Sequence, residues 1–347
     1  MKIAMISFTG NGRRLERSLA HEMEKEGHQV LQAVKCKELE SDKDAGKCSA
    51  REWTGEQFRT RDVLIFIGAV QIAVRLIASF IGSKTTDPAV LVLDEKGQYC
   101  IPILSGHIGG ANEMAERIAE MAGALPVITT ATDIRGKWAI DVFARKNHLY
   151  IEDMQKAKQI SAKILEGKTV VAAIESGRDS IEGTVPEEVK IVPETYENPD
   201  IYIGIYERKL SSHVLRLIPQ RITVGIGCRR GTSAEQIEQL VDKILKESHI
   251  NKKSIGRIAS IDLKKDEEGL LTFCNKYNIE PEFYPAEELK KVEGEFSVST
   301  FVKKVTGVDN VCERSAVYTG GTLRIRKQAE NGVTAAFAWD NWRVKFE

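Results

Sequence analysis

The chain has 347 residues, of which 42% are hydrophobic and 29% are charged, with 50 basic side chains balancing 50 acidic ones. Its length predicts two or three domains, and its apolar content is sufficient for a core in each of them. Nucleic acids and anionic membranes favour proteins with a basic excess. A net charge of zero therefore gives no reason to expect either of them as a partner.

Cysteine usage indicates the compartment and argues against a metal site. The chain has six cysteines, and the closest two, Cys36 and Cys48, lie twelve positions apart. Zinc sites need closely spaced ligand pairs, so this spacing predicts no protein-bound metal. Scattered single thiols suit a reducing environment, and the first residues have too short an apolar run for a signal peptide. We therefore expect a cytoplasmic protein.

The N-terminal part of the chain, residues 1–135, alternates short β-rich runs with helical stretches. This alternation predicts an α/β domain with a mainly parallel sheet. The clearest predicted helix follows a double glycine. It is predicted because Met114, Ile118 and Met121 share one face and Gly123 ends the pattern. The fold class predicted here is therefore α/β.

Residues 63–82 are nearly long and apolar enough to span a bilayer, but Gln71 and Arg75 stand near their centre. Polar and charged side chains are costly in that position. A buried strand, a turn at Gly68 and an amphipathic helix explain the segment better. We therefore expect no membrane contact.

After residue 135 the pattern changes. Residues 136–218 combine a helix and short strands with a stretch rich in Gly, Pro, Glu and Asn, and are predicted to form a small middle domain. Residues 219–347 are predicted to form a C-terminal α/β domain. A hairpin turn is expected at Asn331-Gly332, because this pair favours the left-handed backbone that two-residue turns need.

The segment LSGHIGGANE, residues 104–113, has a dense set of functional groups. A strand is predicted to end at Ser105-Gly-His107, before two glycines and a helix. Backbone amides, a helix dipole and an imidazole are thus expected at one strand end, where anionic groups would bind. An imidazole with an unperturbed pKa of about 6.5 accepts a proton at neutral pH, so His107 is a candidate general base.

The same segment has a structural explanation that the sequence leaves open. Gly109 and Gly110 could form a tight turn without binding anything, and His107 could cap backbone groups. Glu113, another candidate, stands four residues before Arg117, and this spacing is common in solvated helix ion pairs.

The segment GIGCRRGTS, residues 225–233, joins a strand to the next helix. Its glycines fit GxGxxxG and the lysine of a phosphate loop is missing, so no nucleotide is required. A dinucleotide site also needs an acidic residue about 20 positions further on, where an amphipathic helix stands instead. The adjacent guanidiniums of Arg229 and Arg230 suit carboxylates. Cys228 is expected to be a packed thiol, since no histidine is near it in sequence.

Two further segments place polar groups after predicted strands. Residues 128–133 contain the hydroxyl of Thr130 and the carboxylate of Asp133. Residues 261–269 place Lys264 at a strand end, beside acidic residues at the start of the next helix. Ordinary capping of the helix dipole is the alternative explanation for that second group.

These segments, in this order, resemble the cobalt-precorrin-5A hydrolase family. The N-terminal resemblance covers residues 68–119 and 128–133, and the C-terminal one covers residues 225–233, 258–270 and 296–316. The middle of the chain resembles the family only weakly, as a variable middle domain would. Each motif alone is weak, but their succession is specific.

The resemblance implies a hydrolase of the anaerobic cobalamin (vitamin B12) pathway. Its substrate would be a cobalt-bearing, ring-contracted tetrapyrrole with carboxylate arms and a δ-lactone. Water would open the lactone, and the C20 two-carbon unit would leave as acetaldehyde to give cobalt-precorrin-5B. The cobalt would belong to the substrate, so no cofactor is expected. The next pathway step is a methylation, which makes a corrin-pathway methyltransferase the expected handover partner.

On this basis we predict two sets of site residues. The catalytic set is His107 as base, with Ser105 and Glu113, and the amides of Gly109 and Gly110 would help to bind an oxyanion. The substrate-binding set is Gly109, Gly110, Asn112, Thr130, Asp133, Gly227, Arg229, Arg230, Thr232 and Lys264. A non-catalytic tetrapyrrole carrier would use the same anchors and is the alternative function. The sequence leaves open whether the chain forms a homodimer.

Overall fold

The computed structural model describes residues 1–36, 48–83, 86–175 and 180–346. The chain divides into two compact units, Met1–Val142 and Phe143–Glu347. Both units combine helices with predominantly parallel sheets, which confirms the predicted α/β class. The division into three domains at residues 135 and 218 remains a prediction.

The first unit is built on one mixed sheet. Its strands are β1 (Lys2–Ser7), β2 (Gln29–Val34), β3 (Val63–Ile67), β4 (Ala89–Leu93), β5 (Tyr99–Leu104) and β6 (Leu125–Pro126). Its helices are α1 (Gly10–Lys25), α2 (Ala50–Thr60), α3 (Val70–Ile77), α4 (Ala111–Ala122), α5 (Ala131–Ile134) and α6 (Ile140–Lys146), whose last residues belong to the second unit. The strand order is β2-β1-β3-β4-β5-β6, and neighbours are parallel except β4 and β5.

The apolar run of residues 63–82 folds as predicted. β3 is buried along its whole length, which explains its continuous apolar sequence, and α3 buries Ala73 and Ile77 while Arg75 stays exposed. A strand buried on both faces needs no polar alternation. None of the helices in the described part of the chain is long and apolar enough to cross a membrane.

The second unit begins with a smaller sheet. Its elements are β7 (Leu149–Ile151), α7 (Met154–Leu165), β8 (Val170–Ile174), β9 (Ile181–Glu182), β10 (Val189–Val192), β11 (Ile201–Ile203) and β12 (Leu215–Pro219). The order is β10-β8-β11-β12-β7, and β7 runs antiparallel to β12 while the other neighbours are parallel. The short strand β9 lies outside this sheet.

A further sheet follows in the same unit. Its strands are β13 (Ile222–Cys228), β14 (Ile255–Ile261), β15 (Glu282–Tyr284), β16 (Thr322–Glu330) and β17 (Val333–Trp339), and β18 (Val344–Lys345) pairs with β9. The helices are α8 (Ala234–Glu247), α9 (Glu268–Tyr277), α10 (Ala286–Lys291), α11 (Thr300–Thr306) and α12 (Cys312–Val317). The order is β15-β14-β13-β17-β16, with β17 antiparallel to both of its neighbours.

Local sequence signals explain the elements that surround the segment GIGCRRGTS, residues 225–233. Ser233 caps α8 and forms a capping box with Gln236. The hairpin between β16 and β17 turns at Asn331 and Gly332, whose φ angles are 48° and 82°, so the predicted Asn-Gly turn is confirmed. Gly225 lets α12 pack directly on β13, because a Cβ there would stand 1.9 Å from the carbonyl oxygen of Cys312.

Candidate functional site

The loop between β5 and α4 is held in shape by its own backbone. Ser105 has a φ of 56°, and its hydroxyl donates a hydrogen bond to the carbonyl of Asp87 at 3.0 Å. Gly109 passes so close to it that a Cβ would stand 2.5 Å from the Cβ of Ser105. Gly110 precedes α4 with a φ of 79°. The two glycines are therefore required by the turn itself, as the structural alternative proposed.

The amides at the start of α4 are largely used inside the protein. The amide of Gly110 donates to the carbonyl of His107 at 3.0 Å, and that of Ala111 donates to Ser105 at 3.1 Å. The amide of Asn112 donates to the carbonyl of Gly106, also at 3.0 Å. The predicted oxyanion role of the Gly110 amide conflicts with this arrangement, because its N–H already has an acceptor. The same role for Gly109 remains a prediction.

His107 lies between two carboxylates. Its Nε2 atom is 2.7 Å from Oδ2 of Asp133, and its Nδ1 atom is 3.2 Å from Oδ1 of Asp141. The hydroxyl of Thr132 lies 3.2 Å from the same Nε2 atom. Asn112 donates to Oδ2 of Asp133 at 2.9 Å. We call His107, Asp133, Asp141, Thr132 and Asn112 the histidine cluster.

The two carboxylates change the protonation of His107. The hydrogen bond to Asp141, together with the negative charges of Asp141 and Asp133, raises the pKa of His107 to about 9, although burial acts in the opposite direction. Burial would raise the pKa of Asp141, but the hydrogen bond and charge of His107 hold it below the ordinary value. At neutral pH the imidazole is therefore protonated in this structure. Its predicted action as a base assumed an unperturbed pKa, and that assumption does not hold here.

The structure brings together some of the predicted residues and leaves others apart. Asn112 donates to the hydroxyl of Thr130 at 3.0 Å, so Thr130 lies beside the cluster. Glu113 is exposed on the first turn of α4, and Arg117 forms its ion pair with Glu26 at 2.7 Å. Sequence reasoning missed Asp141, which lies 34 positions from His107 and carries no motif of its own.

A cavity of about 810 Å³ lies within the second unit. The turn after β13, the end of β14, helix α11 and the β16–β17 hairpin surround it. Of the predicted binding residues, Gly227, Arg229, Arg230 and Lys264 line this cavity. Apolar side chains form much of its wall, including Ile261, Leu263, Val302, Val305, Val311 and Val333. The cavity thus combines apolar walls with a concentration of positive charge.

The cations of the cavity differ in how they are neutralised. Arg229 and Arg230 are exposed, and neither forms an ion pair with any described residue. Lys264 lies 3.0 Å from Oε2 of Glu267, whose other oxygen accepts a hydrogen bond from the amide of Gly231 at 2.5 Å. Burial acts to raise the pKa of Glu267, but these two hydrogen bonds hold it below the ordinary value. The two guanidiniums are therefore better placed than Lys264 to bind a carboxylate.

Three neighbours of these cations have mainly structural roles. Thr232 is buried, and its hydroxyl donates to the carbonyl of Arg229 at 2.8 Å, so it stabilises the turn. A Cβ at Gly227 would stand 2.6 Å from the hydroxyl of Thr334. Burial raises the pKa of Cys228, as expected of a packed thiol. Among the described residues, no group of three or more His, Cys, Asp or Glu side chains could hold a metal ion.

Comparisons with known proteins match nearly the whole chain. Family profiles described as Cobalamin synthesis G N-terminal, Cobalamin biosynthesis central region and Cobalamin synthesis G C-terminus match residues 52–133, 138–219 and 222–338. The cobalt-precorrin-5A hydrolase of Priestia megaterium is 35% identical over 299 residues, which cover 82% of this chain and 79% of that protein. The protein of the same name from Salmonella typhimurium is 35% identical over 292 residues, covering 80% and 82%.

A solved structure can be added to these relatives. It is that of a cobalamin biosynthesis protein G homologue from Sulfolobus solfataricus, with 23% identity and a TM-score of 0.43. The match covers 97% of each chain.

Proposed function

Because the chain belongs to the cobalt-precorrin-5A hydrolase family, we propose that it opens the δ-lactone of cobalt-precorrin-5A with water. The C20 two-carbon unit leaves as acetaldehyde, and the product is cobalt-precorrin-5B. The substrate is a cobalt-containing tetrapyrrole with several carboxylate arms, and the cobalt enters and leaves with it. The reaction is a step of anaerobic cobalamin biosynthesis.

The observation that carries this proposal is the cavity of the second unit. A tetrapyrrole presents broad apolar surfaces and a rim of carboxylates, and the cavity offers apolar walls together with the exposed guanidiniums of Arg229 and Arg230. Guanidiniums bind carboxylates through paired N–H donors, which fixes orientation as well as adding affinity. The cavity therefore suits the substrate by surface chemistry and by charge.

The histidine cluster suits the hydrolytic step. Asp133 is the more exposed carboxylate of the cluster and takes a proton from the attacking water. The protonated His107 gives its proton to the ring oxygen that leaves the tetrahedral intermediate. Asp133 then returns its proton to His107 across their 2.7 Å contact, which restores the starting protonation. The C20 hydroxyl freed in this way loses its proton as the bond between C20 and the macrocycle breaks. Its oxygen becomes the carbonyl oxygen of acetaldehyde, and the electron pair of the broken bond stays on the macrocycle together with the proton. Asp141 keeps His107 protonated before the reaction begins.

Three further features belong to this proposal. No resident cofactor or metal takes part, because water, a carboxylate and an imidazolium supply the required proton transfers. The reaction takes place in the cytoplasm, which suits six cysteines that are all free thiols. The product is passed on to a corrin-pathway methyltransferase. Neither nucleic acid nor a membrane is a partner.

Acetaldehyde release from cobalt-precorrin-5A by the purified protein tests the proposal. A hydrolase produces acetaldehyde and cobalt-precorrin-5B in equal amounts over many turnovers. A non-catalytic carrier, which would use the same cavity, retains the substrate and releases no acetaldehyde. The second result would replace the enzyme with a carrier.

A further inference from the structure

The strand β16 contains a bulge where it passes the cavity. Ile325 pairs with Phe337 across the β16–β17 ladder, but the next pair joins Gln328 to Ala335. Residues 326 and 327 of β16 therefore stand opposite the single residue Ala336. Such bulges bend a strand and change the direction of a side chain, and they are common next to active sites.

A buried carboxylate holds this bulge in place. Glu313 is completely buried, and one of its oxygens accepts a hydrogen bond from the amide of Lys327 at 2.8 Å. This amide has left the regular ladder, so Glu313 supplies the acceptor that β17 does not. The negative charge of the carboxylate strengthens the bond.

The same carboxylate also holds another part of the cavity wall. Glu313 accepts a hydrogen bond from the amide of Ser297 at 2.7 Å and another from the side chain of Asn310 at 2.8 Å. Ser297 and Asn310 flank α11, which contributes Val302 and Val305 to the cavity wall. Glu313 thus fixes the β16 bulge and the ends of the α11 segment relative to one another.

The bulge places the side chain of Lys327 at the cavity. Lys327 lines the cavity and is half-buried, and it forms no ion pair with any residue that the structure describes. Glu330, an acidic residue of the same wall, is already paired with Lys243 at 2.7 Å. A half-buried, unpaired ammonium group beside an apolar surface favours an anionic ligand. Its charge adds to those of Arg229 and Arg230.

We propose that Lys327 binds a carboxylate arm of the tetrapyrrole, and that Glu313 is a positioning residue that aims it. This inference rests on the proposed function for the identity of the ligand. Lys327 lies outside the segments that resemble the family, and the bulge that places it at the cavity exists only in the folded unit. Lys327 adds β16 to the elements that bind carboxylates, whereas Arg229 and Arg230 both lie in the turn after β13.

Equilibrium dialysis of cobalt-precorrin-5A against the full-length protein tests this inference. Every protein compared in the dialysis also contains His107→Gln, which slows conversion of the substrate, and acetaldehyde release is measured in parallel with His107 intact. Lys327→Ala should weaken binding by about tenfold, the weight of one charge-assisted hydrogen bond. Lys327→Arg should restore most of the affinity. Arg324→Ala removes the same charge from an exposed position of the same strand and should change the dissociation constant by less than about twofold.

The two measurements separate the inference from the proposed function. If Lys327→Ala binds as tightly as Arg324→Ala, or if the unchanged protein does not bind the substrate, the anchoring role of Lys327 is wrong. If Lys327→Ala weakens binding but no variant releases acetaldehyde, the anchor stands and the hydrolase proposal fails.

A double-mutant cycle tests the role of Glu313. Glu313→Gln keeps the shape of the side chain but replaces one acceptor oxygen by an N–H donor. The backbone at Lys327 should then no longer be held in place, and its side chain should no longer point towards the bound carboxylate. In the Glu313→Gln background, Lys327→Ala should then weaken binding by less than about twofold. An additive effect in a variant that remains folded by circular dichroism would mean that Glu313 does not position Lys327.

Discussion

The histidine cluster of the first unit and the cavity of the second unit use charge in opposite ways. His107 is a cation held between Asp133 and Asp141, and all three charges already have partners. Arg229 and Arg230 are exposed cations that form no ion pair with described residues. The first arrangement fixes where a proton resides, while the second leaves charge available for a ligand.

Steady-state kinetics can distinguish the roles of the histidine cluster and the cavity. A residue that moves a proton in the transition state changes kcat, whereas a residue that binds substrate and transition state equally changes KM. We therefore expect variants of the histidine cluster and variants of the cavity to affect different constants.

The largest effect is expected for His107→Gln. The amide cannot transfer a proton, so kcat should fall by about 10²- to 10⁴-fold, while KM should stay within about threefold because the cavity is unaltered. Steady-state release of acetaldehyde measures both constants. His213→Gln, at an exposed histidine, is the matched control and should behave like the unchanged protein. A normal kcat in His107→Gln would remove the cluster from the mechanism.

The converse change is the double variant Arg229→Ala/Arg230→Ala. Each lost charge-assisted hydrogen bond weakens binding, so KM should rise by about 10- to 100-fold with kcat within about threefold. The same assay measures this, and a double variant that retains its KM would show that the substrate binds elsewhere. A large fall in kcat would mean that Arg229 and Arg230 do not act in substrate binding alone.

A smaller effect is expected from the pH dependence. With the pKa of His107 at about 9, the protonated form prevails through neutral pH, and kcat/KM should fall as pH rises through about 9. In Asp141→Asn the main cause of the raised pKa is gone, so this alkaline limb should move to lower pH. At pH 8 its kcat/KM should be roughly tenfold below that of the unchanged protein.

The pH profile has a matched control. Asp266→Asn removes an exposed carboxylate of the second unit and should leave the alkaline limb where it is. If Asp141→Asn and the unchanged protein lose activity at the same pH, Asp141 does not set the protonation of His107.

The smallest effect is expected for removal of metal ions. Dialysis of the protein against a chelator should leave kcat and KM unchanged, because no step of the proposed mechanism uses a resident metal. Metal analysis of the active protein before and after dialysis accompanies the assay. Loss of activity that returns on addition of one particular metal would show that a resident metal takes part in the reaction.

Much of the fold follows from short-range signals in the sequence. The apolar stripe and the cap residue Ser233 predict α8, and Asn331-Gly332 predicts the hairpin between β16 and β17. Both elements are predictable because each depends on residues only a few positions apart. The antiparallel β5 was predictable as well. Only residues 94–98 separate it from β4, too few for the crossover that a parallel pair needs.

The site was less predictable, since its chemistry depends on distant residues. The motif identified His107, but its protonation is set by Asp141, 34 positions away on another helix. Arg229 and Arg230 were recognisable as an adjacent pair. Lys327 was not, because its placement needs a bulge held by the buried Glu313.

Hydrolysis in ¹⁸O-labelled water shows whether water opens the lactone. If water attacks the acyl carbon of the lactone, the cobalt-precorrin-5B formed by the purified protein contains one ¹⁸O atom in its newly released carboxylate, and acetaldehyde appears in equal amount. Mass spectrometry of the product measures the label. An unlabelled cobalt-precorrin-5B, or substrate that is bound but not converted, would contradict the proposed reaction.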